Sequence, residues 1–188
     1  MKTTEKLVAV TAAGAAVAGA SQAVADSSNF TGSFAGVGLG TLAPHWNDSY
    51  NYGNTNQGIN LFAGHNWALD DSTVAGFDVG VWASNFSPDS YYGMGNLTEI
   101  RFKLGTAIDN TMLYGAVGVW NGVHSWYDAG TAQGASVALG MEQNFGPDMF
   151  GAIDYTHRIT TYDDGSASKE LVGTGTIAVK AGFRLGRN

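Results

Sequence analysis

Four histidines, His45, His65, His124 and His157, and no cysteine are the chain's stock of near-neutral general bases and nitrogen or sulfur metal ligands of the zinc type. A serine–histidine–acid site needs the base in reach of the nucleophile and a third group to orient it. His124 is followed by Ser125 and Trp126, and His45 stands near Asp48, so these are the places to look for one. Neighbours on a strand point to opposite faces, which separates His124 from Ser125. No His-x-Ser or H-x-x-x-H spacing occurs, and "TYDDGSASKE" (161–170) lacks the alternating acids of a calcium loop. The expectation is therefore no catalytic residue, no metal and no cofactor. Asp163 and Asp164 read as a solvated turn.

The other ionisable residues are arranged more tellingly. In "LTEIRFKLGTAI" (97–108), Glu99, Arg101 and Lys103 alternate with Ile100, Phe102 and Leu104. Strict alternation is the mark of a strand with two different faces. The same phase sets Asp78 against Phe77 and Val79, Glu142 against Met141, and Lys180 and Arg184 against Val179, Ala181, Phe183 and Leu185. Asp154 and Arg158 follow it beside Ile153 and Tyr155. Four acids and five bases thus share one face, and the opposite face is aliphatic or aromatic.

Period-two alternation recurs in eight segments: 30–41, 57–68, 73–84, 97–107, 111–121, 132–144, 148–159 and 174–185. Each is long for a globular strand and suits a tilted strand crossing a bilayer. Connections alternate between long (42–56, 85–96, 122–131, 160–173) and short (around 69–72, 109–110 and 146–148). Four long outer loops and three short periplasmic turns predict an all-β, eight-stranded antiparallel transmembrane barrel. A soluble barrel would be apolar inside to hold a ligand, the reverse of this pattern. An eight-stranded barrel is only just wide enough for its own side chains. Asp78, Glu99, Arg101, Lys103, Glu142, Asp154, Arg158, Lys180 and Arg184 should then form a lumen salt-bridge network that fills it rather than a wide pore. Trp67, Phe145, Phe150 and Phe183 on the turn side, and Trp82 and Trp120 on the loop side, are expected to form interfacial girdles. Gly32, Gly36, Gly38 and Gly40 share one parity, and should make room in the lumen for long Arg and Lys side chains.

Residues 1–25 have the layout of a secretory signal peptide: Lys2 and Lys6, the apolar run 7–20, and Ala23-Val24-Ala25 before Asp26. The mature barrel is then 26–188. Without residues 1–25 there remain 7 bases and 15 acids, a net charge of −8. That balance excludes nucleic acid as a partner and provides no basic face for anionic lipid. Only 13% of the residues are charged and 27 are glycine, too little charge for an ordinary soluble domain.

Three stretches carry a resemblance: "GINLFAGHNWALDDSTVAGFDVGVWAS" (58–84), "EIRFKLGTAIDNTMLYGAVGVW" (99–120) and "ALGMEQNFGPDMFGAIDYTH" (138–157). They are similar to the small eight-stranded outer-membrane β-barrel proteins often labelled "porin family", relatives in fold of the OmpA membrane domain. The resemblance implies a Gram-negative outer-membrane location, with outer-membrane lipid, lipopolysaccharide and the barrel-insertion machinery as partners. Family members usually end on an aromatic residue that this machinery reads; here Phe183 takes that role with five residues following. The favoured function is a non-catalytic envelope or surface protein. The alternatives are a narrow diffusion pore and a lipid-modifying enzyme with a site near His124 or His45. Trp, Tyr and Asn among small residues in the long loops suit an adaptable surface for an unidentified loop ligand.

Overall fold

The structure, a computed structural model, describes residues 26–45, 55–84, 93–126, 128–162 and 170–185. The proposed signal peptide, Asp48 and most of three of the long connections lie outside the described residues. A short 3-10 turn (Ser27–Phe30) precedes eight strands: β1 (Gly32–His45), β2 (Asn56–Ala68), β3 (Thr73–Ser84), β4 (Gly93–Ile108), β5 (Thr111–Trp126), β6 (Asp128–Asn144), β7 (Met149–Tyr162) and β8 (Glu170–Leu185). Each pairs antiparallel with the next, and β1 pairs with β8 to close the barrel.

Closure removes the sheet edges, so the backbone is paired within the wall whatever solvent lies outside. Following the register from Phe34 through Gly64, Asp78, Arg101, Gly118, Ser136 and Arg158 reaches Thr174 on β8, whereas Phe34 itself pairs with Arg184. The ten-residue offset is the stagger that closure of tilted strands requires.

The alternation sorts the side chains as expected. Ile100, Phe102 and Leu104 are exposed on the outer wall, and Glu99, Arg101 and Lys103 are buried inside. On β8, Ile177, Val179, Phe183 and Leu185 are exposed, and Lys180 and Arg184 buried. The outer apolar residues of β5 run from Leu113 to Val123. At the rise and tilt of barrel strands that is a band about 25 Å tall, the height of a membrane barrel's lipid-facing belt.

The short turns are built by local chemistry. Asp70 accepts from Ser72 N–H (2.8 Å), Thr73 N–H (2.7 Å) and the Ser72 hydroxyl. These bonds hold its carboxyl well below the usual range, at about 2. Asp109 takes a left-handed backbone (φ 52°), which Asp tolerates, and Gly146 (φ 136°) does so in the third turn.

Several boundaries differ from the sequence expectation. Phe30 belongs to the 3-10 turn, not to β1. The third long connection is mostly strand, since β5 and β6 stay paired to Trp126 and Asp128. β8 starts at Glu170. Strands of 14 to 17 residues exceed what a bilayer needs, and their surplus falls on the loop side.

Candidate functional site in the barrel lumen

The interior is layered. At the turn-side end Phe30, Val74, Ala107, Met112 and Tyr114 form an apolar cluster. Phe34, Phe62 and Phe150 make a second, with ring centroids 5.9–6.3 Å apart. Leu42, Trp82, Leu97, Trp120, Ala132 and Ala178 form a third at the loop-side end. Between and around them lie the ionisable groups.

All nine charged residues singled out above are buried, and each has a partner of opposite sign. Arg101 makes a two-pronged contact with Asp78 (Nε to Oδ1 2.9 Å, Nη2 to Oδ2 3.1 Å) and reaches Asp154 with Nη1 at 3.1 Å. Asp154 also accepts from Lys180 Nζ (2.5 Å) and the Tyr114 hydroxyl (3.1 Å). Glu142 lies between Arg184 and Lys103, the latter at 3.9 Å. Arg158 donates to Glu99 (2.5 Å) and to the Thr176 hydroxyl (2.7 Å).

Buried ions without partners would cost several kcal/mol each, so full pairing is the condition for their presence. The cations also use the rings: Lys103 lies 4.3 Å from the Phe34 centroid, Lys180 5.3 Å from Phe62, and Arg184 5.1 Å from Phe150.

A cavity of about 10 Å³ lies among Asn60, Asp78, Trp82, Glu99, Arg101 and Arg158. That is near the minimum for one water molecule. Glu99 Oε1 and Arg158 Nε are buried polar atoms with no hydrogen-bond partner on residues that line it, the kind of group such a water satisfies.

At the turn-side end the chain itself enters the mouth. Phe30 is fully buried, and its carbonyl accepts from Arg184 Nη1 (2.8 Å) and Asn66 Nδ2 (2.9 Å). Asn144 Nδ2 donates to the Asn29 carbonyl (2.9 Å), and Ser27 binds the turn through Asp71 and Asp70 carbonyls. Residues 27–30 are thus tied to β2, β6, β8 and the first turn. The period of β1 hid this segment. The only sequence signal was a polar "DSSN" run ahead of an aromatic.

Two expectations need correction. Trp82, Trp120 and Phe150 do not belong to an outer girdle; each is 3% exposed and packs inside. Trp82 and Phe150 share the parity of Asp78 and Asp154 on their own strands, Trp120 is the register partner of Glu99, and that phase outweighs a position near a strand end. Trp67, Phe145 and Phe183 do face outward. The glycines of β1 also differ in purpose. A Cβ at Gly38 would meet Lys180, but at Gly36 and Gly40 it would meet the rings of Phe62 and Trp82. Glycine opposite an inward ring recurs at Phe34 and Gly64, Tyr114 and Gly140, and Phe150 and Gly182. Each ring covers the bare backbone of its neighbour.

The histidine candidates separate likewise. His45 and His124 lie at the loop-side ends of β1 and β5, with side chains outside the described residues, as is that of Ser125. His65 instead meets Ser33, its register partner on β1, with Nδ1 3.0 Å from Oγ on the outer wall. No group of three His, Cys, Asp or Glu residues suited to a metal occurs among the described residues.

No protein-family model and no curated protein matches the sequence. Among solved structures, the chain is similar to Neisserial surface protein A (NspA), with a TM-score of 0.54 and 11% identity over 82% of this chain and 98% of that one. It is also similar to Ail, the attachment invasion locus protein of Yersinia pestis, solved in complex with the heparin analogue sucrose octasulfate. There the TM-score is 0.53 and the identity 18%, over 82% and 99% of the two chains. At such identities the shared property is architecture: the chain has the closed, eight-stranded antiparallel fold of the small outer-membrane β-barrels.

Proposed function

We propose that this chain is an integral outer-membrane protein whose barrel is a non-catalytic anchor, with a lumen closed to ions and function carried at its loop-side end. The observation that carries this reading is the inverted partition: an apolar outer wall around a lumen in which every described charge is paired. Apolar layers at both ends of the lumen, and a cavity beside the charges near one water in volume, support closure.

The loop-side connections then form the surface that meets the exterior. Residues 43–57, 85–96, 122–130 and 160–170 hold six acids (Asp48, Asp89, Asp128, Asp163, Asp164, Glu170) and one base, Lys169. Ail was solved with a sulfated sugar, but polyanions are poorly matched to this balance. A neutral or basic partner fits better, engaged through Trp46, Tyr50, Tyr91 and their neighbours.

The test is planar-bilayer conductance of the refolded 26–188 chain, after a heat-dependent shift in gel mobility confirms a folded barrel. Electrical silence is expected. Discrete conductance steps would overturn closure in favour of a narrow pore, and a chain that folds without detergent would overturn the membrane reading.

A further inference from the structure

Two polar pairs of register partners stand on the outer wall beside the short turns, Thr111 with Gln143 and Ser33 with His65, and the second stands among aromatic rings. Ser33 and His65 face each other across β1 and β2, 3.0 Å apart, and border a shallow groove of about 580 Å³. Ala63 and Gly64 form its low floor, with Trp67 and Phe77 along one side. The His65 and Trp67 rings lie 4.9 Å apart, and those of Trp67 and Phe77 5.8 Å.

We propose that this groove binds a membrane glycerophospholipid, with its phosphodiester at Ser33 and His65 and an acyl chain along Ala63 and Phe77. The inference rests on the membrane reading above. His65 stands three residues from the end of β2, about 10 Å along a tilted strand, which is near the turn-side interface rather than mid-bilayer.

A polar group facing lipid is costly unless it is bonded, and this pair satisfies itself only in part. If the Ser33 hydroxyl donates to Nδ1, the neutral imidazole carries its proton on Nε2 as an unspent donor. If Nδ1–H donates to Oγ, the hydroxyl proton is unspent instead. Either arrangement leaves one donor for a phosphate oxygen. The Asp70 carboxylate of the adjoining turn accepts from the Ser72 and Thr73 N–H groups, which keeps it engaged within the turn. Trp67, 47% exposed, supplies the interfacial ring beside a headgroup and a built-in probe.

The experiment follows the fluorescence lost between the 26–188 chain and its Trp67→Phe variant, which isolates Trp67. In vesicles made wholly of brominated phosphatidylcholine, this signal should be quenched; no quenching would sink the membrane reading itself. In maltoside micelles, brominated phosphatidylglycerol and brominated diacylglycerol with the same chains are then titrated separately. The phospholipid should reach half-quenching at a mole fraction about fivefold lower, the worth of one hydrogen bond. His65→Phe, which keeps the ring, and Ser33→Ala should each bring the two curves together. Equal curves for the unaltered pair, with quenching intact in vesicles, would overturn the lipid site and leave the membrane reading standing.

Discussion

The two ends of the lumen are closed by different means. On the loop side, Leu42, Trp82, Leu97 and Trp120 close it with side chains from β1, β3, β4 and β5, so the seal is part of the wall. On the turn side, Phe30 arrives on a segment outside the sheet, held by Arg184, Asn66 and Asn144 through backbone carbonyls. A seal made of wall residues forms only when the barrel does. A seal made of a tethered segment can be loosened while strand pairing survives.

The charged network between the two seals should be the most sensitive. Arg101→Ala leaves the buried Asp78 carboxylate unpaired and removes one partner of Asp154. It should cost about 3–5 kcal/mol in urea unfolding of the micelle-bound barrel. Lys103→Met should cost much less, because Glu142 keeps Arg184. Next come the two seals. Phe30→Ala and Trp120→Ala each empty a site of a large buried side chain, with losses of about 3 kcal/mol. The comparison is decided by amide exchange: Phe30→Ala should speed exchange only near residues 26–34, and Trp120→Ala across β3 to β6. Equal spread in the two variants would erase the distinction.

Smaller effects sharpen the picture of the tether. Asn66→Ala and Asn144→Ala each remove one side-chain bond to the tethered segment, for about 1 kcal/mol each in the same unfolding assay. The least effect concerns Asp70, whose carboxyl is held at about 2 by the first turn. Its folded value lies below the ordinary 3.8, so its contribution is fully present above pH 3.8 and fades as pH falls toward 2. Asp70→Ala should flatten that window in an acid titration of stability, without altering stability differences measured between pH 5 and 7.

Much of this was legible from local pattern. Alternation is a one-dimensional property, and in a two-faced strand it specifies facing directly. Glu99, Arg101 and Lys103 could therefore be assigned a common face from four or five neighbours alone. The same rule, followed through Asp78, would have put Trp82 inside; proximity to a strand end misled there. Ser33 and His65 were invisible because they are 32 positions apart, and only the β1–β2 register sets them opposite. Phe30 was misread because its alternation with β1 continues across a segment that has already left the sheet.

By itself the sequence determined the number of strands, their faces and which charges share the interior, since each depends on neighbours a few residues apart. Pairing within that interior was decided by tertiary structure. Asp78 and Arg101 are register partners on adjacent strands, but Glu99 reaches Arg158 from β4 to β7 and Glu142 reaches Arg184 from β6 to β8. Those matches depend on closure and its ten-residue stagger, which set the height at which each strand delivers its side chains to the axis.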